Sequence, residues 1–158
     1  MLDPAVPQAH GSVRQAGPDD ATVLAALCEE HAAYERLAYV ALGHAAKLQQ
    51  ALVAGRLRAW LAEHDGQAVG YASVTVDFAT LAALPYAHLD CLYLQAQARG
   101  RGLGQALMRS AMAFCEHQGC DTLQWQTPDW NHQAIAFYTG FGASAAPKQR
   151  FTLKLSSL

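Results

Sequence analysis

The chain has 158 residues, with 11 Lys+Arg against 13 Asp+Glu for a formal net charge of −2, and it is 52% hydrophobic and 15% charged. That length and composition predict one folded domain with a real core and exclude a disordered chain. The balance of charge argues against a nucleic-acid-binding domain, which carries a strong basic excess. The apolar runs are broken by polar residues, so no membrane span is expected.

Residues 1–11 read as a loose arm with Pro4 and Pro7 and no apolar core of signal-peptide length, which predicts a cytoplasmic protein. A single domain is expected over 12–158. It begins with a short strand at Ser12 to Ala16. Gly17-Pro18-Asp19-Asp20 then opens a helix, since Pro and Asp suit a first helical turn. Val23, Leu24, Leu27, Cys28, Tyr34 and Leu37 continue it at helical spacing to about Val40. Gly43 interrupts, and a second helix runs from Ala45 to Ala54. Arg56 to Glu63 alternates as a strand, Asp65-Gly66 is a hairpin turn, and Gln67 to Phe78 returns. Ala79 to Pro85 reads as a loop, and His88 to Gln95 as a buried central strand. A helix from Gly102 to Gln118 follows, with Leu103, Ala106, Leu107, Ala111, Phe114 and Cys115 on one side and Gly119 at its end. Asp121 to Thr127 is the next strand and Asn131 to Thr139 the next helix, closed by Gly140-Phe141-Gly142. Lys148 to Leu155 alternates as a final strand. This order makes an α/β chain with a mixed sheet.

The run Arg99-Gly100-Arg101-Gly102-Leu103-Gly104 sits between the central strand and its helix. Strand, glycine-rich turn and helix together make a phosphate site. Glycines permit close backbone approach, and the first helical turn offers free N–H groups at the positive end of the dipole. The ATPase loop requires Lys after its last glycine, where this chain has Gln105. The dinucleotide fingerprint requires a third glycine at that same position. The spacing that fits without gaps is Arg99-x-x-Gly102-x-Gly104. Cys28, Cys91, Cys115 and Cys120 form no Cys-x-x-Cys pair, and Cys115, His117 and Cys120 match no zinc spacing. They read as four free thiols, with no metal expected. By strand alternation Cys91 faces away from Asp90 and Leu92, into the core.

Three segments in this order carry a resemblance: Arg14-Gln-Ala-Gly-Pro-Asp-Asp, the loop from Arg99, and Trp130-Asn131 with Phe137-Tyr138-x-Gly-Phe141-Gly142. From Arg14 to Leu155 the chain resembles the GNAT superfamily of N-acetyltransferases. The resemblance implies that family's fold, a mixed and mostly antiparallel sheet with a splayed central strand pair flanked by helices. It implies acetyl-CoA as cosubstrate. Its pantetheine would pair with the backbone of Leu92 and Leu94, with the Leu94 N–H toward the thioester oxygen. Its pyrophosphate would lie on Arg99, Gly100, Arg101, Gly102, Leu103, Gly104 and Gln105. Read alone, Tyr138 is a core tyrosine and Asn131 a helix cap. The resemblance makes Tyr138 the general acid toward the CoA sulfur and sets both residues beside the cofactor.

Asp90, two residues before Leu92, is the candidate base and also a substrate anchor, and His88 is its rival on the same face. Within the superfamily the chain looks most like the diamine and polyamine acetyltransferase branch, through His31-Ala-Ala-Tyr34-Glu35, His88-Leu-Asp90-Cys-Leu-Tyr93-Leu94 and Asp129-Trp130-Asn131. Tyr34, Glu35 and Asp90 are then substrate residues, and Glu29, Glu30 and Asp77 are further acids near a polycation. That branch reads Leu-Glu-Asp where this chain has Leu89-Asp90-Cys91, so one charge is missing. Smaller amines, amino acid analogues, aminoglycosides and peptide amines therefore stand beside polyamines as acceptors. Direct transfer in a ternary complex is expected, because no cysteine is placed as an acyl carrier. The alternatives are a catalytically silent CoA-binding or regulatory module and an acetyltransferase of peptide or protein amines. The resemblance also implies a homodimer, with the final strand available for pairing across it, while the charge balance and the interrupted apolar runs predict no nucleic-acid or membrane partner.

Overall fold

In the computed structural model, which describes residues 11–156, contacts gather the chain into two compact units divided between Gln126 and Thr127. The first unit holds a five-stranded sheet: β1 (Gly11–Gln15), β2 (Arg58–His64), β3 (Gln67–Ala79), β4 (Leu84–Leu94) and β5 (Leu123–Gln124), in that spatial order. β1 to β4 are antiparallel neighbours, and β5 joins β4 in parallel. Helices α1 (Ala21–Tyr34) and α2 (His44–Val53) connect β1 to β2, and α3 (Leu103–His117) connects β4 to β5. This is the mixed, mostly antiparallel sheet that the sequence predicts. The predicted arm lies outside the described residues except for Gly11, which is already strand. Among the described residues no helix is long and apolar enough to cross a membrane.

Strand alternation gives the sheet two apolar faces. Ala59, Leu61 and Tyr71 pack with Ala16, Leu24 and Leu27 beneath α1, and Cys28, Leu48, Leu52, Cys91 and Tyr93 close that cluster. On the other side α3 buries Leu107, Met108, Ala111 and Cys115, and Phe114 meets Trp60 edge-on at 5.7 Å. A fully buried leucine such as Leu107 contributes about 1.5–3 kcal/mol. The β2–β3 turn has positive φ at both Asp65 (51°) and Gly66 (77°), the twist that a two-residue hairpin requires. At its start, Arg14 forms a two-pronged ion pair with Asp20 (2.8 and 2.9 Å) and a second pair with Glu63 (2.8 Å). The Asp20 carboxylate also accepts the Gly17 N–H at 2.8 Å. The Arg14 motif is thus a clamp holding β1, the helix entry and β2.

Three predicted elements change their bounds. The first helix ends at Tyr34 rather than near Val40, because Arg36 turns left-handed (φ 61°) and the Leu37 N–H bonds back to the Ala32 carbonyl. The apolar spacing of Leu37 and Val40 mimics a longer helix, yet both are exposed. β4 begins at Leu84, ahead of the expected His88. Pro85 suggests a loop, but it falls at the start of the strand, where a missing N–H is tolerated. The strand expected over Asp121 to Thr127 shrinks to Leu123–Gln124, because β4 offers it only Ala87 and His88 as partners.

In the second unit, α4 (His132–Phe141) is capped by the Asn131 side chain, which accepts the Ala134 N–H at 3.2 Å, and it stops at left-handed Gly142 (φ 103°). The final strand expected over Lys148 to Leu155 is absent: that segment has no regular structure, and Phe151, Leu153 and Leu155 are all exposed. Alternation supplies a strand's pattern, but a strand also needs a neighbour to bond, and the segment has none within the described chain.

Candidate active site

Two bulges shape the middle of the sheet. On β3 the extra residue is Val69, facing the Ala62/Glu63 step of β2. On β4 it is Asp90, since Leu89 pairs with Val74 and Cys91 with Ser73. A bulge bends its strand. Past His88, β4 leaves β5, and among the described residues no strand pairs with its outer edge from Leu89 to Leu94. The Gln95 N–H bonds to the Val69 carbonyl on β3 at 2.8 Å, so alternation turns the backbone of Leu94 and Leu92 to the open edge. The splay expected from the resemblance is present. Gly70 lies opposite Leu94, and a Cβ there would strike the Tyr93 carbonyl and the Leu94 side chain, so β3 and β4 approach this closely only because position 70 is glycine.

The loop follows directly. Gly100 and Gly102 take positive φ (74° and 80°), and Gly102 is the N-cap of α3 without a side-chain cap. The first-turn N–H groups of Leu103, Gly104 and Gln105 are therefore left for an external anion. Leu103 is buried and anchors the turn against Gly11. The loop side chains are engaged elsewhere. Arg99 Nε donates to the Leu94 carbonyl at 3.0 Å, with its guanidinium 4.8 Å over the Tyr34 ring. Arg101 donates to His64 Nε2 at 3.0 Å, and Gln105 accepts from Arg109 at 3.1 Å. The anion-binding capacity of the loop thus resides in its backbone.

Cys91 packs with the core cluster, as expected, but the bulge corrects the side given to Asp90. Alternation places Asp90 on the opposite face from Cys91, but a bulge sets two residues against one, and Cys91 Sγ lies 3.7 Å from Asp90 Oδ2. Asp90 itself is exposed, and its Oδ1 is 3.7 Å from His88 Nε2. The two candidate bases thus sit side by side. Cys91 turns inward to the α1 cluster, where burial and the nearby Asp90 charge push its thiol up to about 12. That value describes an inert thiol rather than an acyl carrier. The four described cysteines are all free, as expected.

Toward α1 the site is aromatic and acidic. Tyr93 stacks on His31 at 5.1 Å and lies 6.1 Å from Tyr34, with its hydroxyl 3.5 Å from Glu30. Gln95 also donates to Glu30, at 3.0 and 3.2 Å. Burial, reinforced by Glu30, raises the Tyr93 phenol above its usual value. Glu35 pairs with His31 Nε2 at 3.2 Å. The structure thus brings Tyr34 to Arg99 at the end of β4, and engages Glu35 with His31. The sequence reading missed the buried His31–Tyr71 pair, at 2.8 Å. Its signal was His31 on the buried side of α1 with Leu24 and Leu27, a polar side chain at a core position. In the second unit, Tyr138 follows Asn131 by two helical turns and meets Phe137 edge-on at 5.4 Å. A groove of about 440 Å³ lined by Arg56, Arg58, Val74, Asp77, Phe114 and Gln118 contains none of the predicted catalytic or cofactor residues. Among the described residues no group of three or more His, Cys, Asp or Glu side chains is arranged to hold a metal.

A splayed strand edge running into an uncapped, glycine-turned helix start defines an acyl-CoA-binding class of protein. The chain belongs to the acetyltransferase (GNAT) family, which it matches over residues 22–143, and it is an acetyl-CoA-dependent acyltransferase. It is similar to the thialysine N-epsilon-acetyltransferase of Caenorhabditis elegans, at 26% identity over 121 residues covering 77% of this chain and 75% of that one. It is also similar to an uncharacterized N-acetyltransferase of Bacillus subtilis (strain 168), YhfO, at 26% identity over 127 residues, 80% of this chain and 85% of that one. In fold it aligns with an aminoglycoside N-acetyltransferase, AAC(6')-Iy, in complex with CoA (TM-score 0.80, 20% identity, 94% of this chain and 98% of that one).

Proposed function

We propose that the protein transfers the acetyl group of acetyl-CoA to a primary amine of a small molecule, directly, in a ternary complex. The observation that carries this reading is the open edge of β4. The Leu92 and Leu94 backbone faces it, the uncapped first turn of α3 lies at one end, and the Asp90 carboxylate stands at the bulge. Pantetheine pairs with Leu92 and Leu94 as an added strand. The Leu94 N–H stabilises the thioester oxygen, and the loop from Arg99 to Gln105 takes the pyrophosphate through its backbone. Asp90 takes the proton of the acceptor ammonium, with His88 beside it, and the freed amine attacks the carbonyl carbon. Tyr138 gives a proton to the departing CoA thiolate, and Asn131 contacts the cofactor. These two roles rest on the resemblance of their segment.

The acceptor reading rests on charge and aromatic surface. Glu30, Glu35 and Asp90 with Tyr34 and Tyr93 offer a cation both carboxylates and rings. A polyamine, a lysine-like amino acid or an aminoglycoside carries such a cation, and the thialysine enzyme similar to this chain favours the amino acid class. The test is thiol release from acetyl-CoA against spermidine, putrescine, lysine and thialysine, aminoglycosides and short peptides. Turnover with a small amine supports the reading. Turnover with peptides alone replaces it with a protein-modifying enzyme. Silence across the panel, with acetyl-CoA still raising Tm, replaces it with a binding module.

The same reading includes a homodimer. Phe151, Leu153 and Leu155 expose apolar side chains at strand spacing with no strand to join, and a second copy supplies one. Light scattering of the purified protein checks it: a dimer mass supports the reading and a monomer mass at working concentration ends it.

A further inference from the structure

One acceptor on the open edge of β4 is already taken. The short turn Ala96–Ala98, with Ala98 buried and its N–H bonded to the Gln95 carbonyl at 2.9 Å, folds the chain back on the strand end. Arg99 is thereby carried beside Leu94, and its Nε donates to the Leu94 carbonyl at 3.0 Å. The same peptide is held from the other side, since the Gln95 N–H bonds to the Val69 carbonyl at 2.8 Å. Hydrogen bonds from a guanidinium are strong, and its planar fork is preorganised to make them. The guanidinium is itself held. It lies 4.8 Å over the Tyr34 ring, Tyr34 lies 6.1 Å from Tyr93, and Tyr93 stacks on His31 at 5.1 Å. His31 is fixed by Tyr71 at 2.8 Å and by Glu35 at 3.2 Å. A row of rings thus runs from the core beneath α1 to the last carbonyl of β4.

An added strand reads an edge by its donors and acceptors, and a slip in register changes which pairs meet. With the Leu94 carbonyl engaged, the edge offers the Leu92 N–H and carbonyl and then the Leu94 N–H. With that carbonyl released, the edge repeats itself: Leu92 and Leu94 present the same two groups, about 6.8 Å apart along the strand. The pyrophosphate loop fixes only one end of a flexible pantetheine arm. Two registers then compete, and only one of them brings the thioester to Asp90.

We propose that Arg99, steadied by Tyr34, is a positioning residue that stops the pantetheine arm in one register on β4 by occupying the Leu94 carbonyl. This rests on the reading of Leu92 and Leu94 as the partners of the cofactor. Tyr34 thereby serves the cofactor side of the site as well as the acceptor wall, and it acts through Arg99.

The test is kinetic. Molecules bound in the wrong register do not react, so kcat and the acetyl-CoA KM fall by the same factor while kcat/KM is kept. Arg99→Ala frees the carbonyl, and both parameters are expected to fall about fivefold, as suits the one hydrogen bond that the slipped arm gains. Tyr34→Leu leaves the guanidinium in place but unsteadied, and should give the same paired fall at about threefold with the acceptor KM unchanged. Tyr34→Phe keeps the ring and should restore both parameters. Arg99→Ala/Tyr34→Leu should lose no more than Arg99→Ala alone. Arg99→Ala is a half-buried loop position and carries the test by itself if Tyr34→Leu does not fold. A raised acetyl-CoA KM in Arg99→Ala overturns the proposal, because the guanidinium then binds phosphate directly. A raised acceptor KM as the sole effect of Tyr34→Leu overturns the coupling to Arg99. Calorimetry of the wild type separates the two failures. If acetyl-CoA gives no binding heat, the cofactor edge falls and the register stop with it. If acetyl-CoA binds and turns over while Arg99→Ala keeps both parameters, the register stop alone fails.

Discussion

The two sides of β4 are built from different materials. Its open edge, running into the loop before α3, is made of backbone: Leu92 and Leu94 turned outward, Gly100 and Gly102 left-handed, and first-turn N–H groups without a cap. The loop's own side chains are bonded elsewhere. Its inner face is made of side chains: Asp90 beside Cys91 at the bulge, His31 bonded to both Tyr71 and Glu35, and Tyr34, Tyr93 and Glu30 alongside. A cofactor common to a whole family needs only backbone groups, which many sequences provide. An acceptor is chosen by side chains, and these differ from chain to chain.

The comparison can be broken by substitution. Asp90→Asn should lower kcat on the order of 100-fold, the contribution expected of a positioned base, and Tyr138→Phe should do the same as the loss of a general acid. Steady-state kinetics at saturating acetyl-CoA reads both, and a kcat within threefold of wild type removes the role concerned. Gly102→Val forces a β-branched residue into a left-handed turn at a cost of about 1–2 kcal/mol, and should weaken acetyl-CoA binding roughly tenfold by calorimetry. Gly70→Ala drives a Cβ into the Tyr93 carbonyl and should cost about 2 kcal/mol in denaturant unfolding.

Arg14→Ala is the smallest, under about 1 kcal/mol at neutral pH, because the guanidinium is 46% exposed. Its signature lies in the acid limb. The Arg14 hydrogen bonds hold the Asp20 carboxyl below its ordinary value. The stability this gives is complete above about pH 3.9, the unfolded value, and is lost as pH falls through the lower folded value. The variant should therefore show a flatter loss of stability below about pH 4, measured by thermal unfolding across that range. An unchanged acid limb would contradict the clamp.

The backbone half of the site was legible because it depends on residue type and local order. Glycines at fixed offsets between an apolar strand and an amphipathic helix announce the loop wherever they occur. Element order followed from periodicity for the same reason. The side-chain half was legible only in part. Asp90 stood out as an acid two residues before Leu92, but the bulge that sets Cys91 beside it is a property of pairing with β3, and alternation alone gave the opposite face. His31 and Tyr71 are 40 residues apart and meet only because α1 packs on β3. The missing final strand has a similar cause, since Phe151, Leu153 and Leu155 carry the pattern of a strand without the neighbour that makes one.

The most direct test of this division is to measure acetyl-CoA Kd and kcat together in Gly102→Val and Asp90→Asn. The account predicts a split: weakened binding in the first, and wild-type binding with lost turnover in the second. Equal loss of acetyl-CoA binding in both, or wild-type turnover in Asp90→Asn, would contradict it.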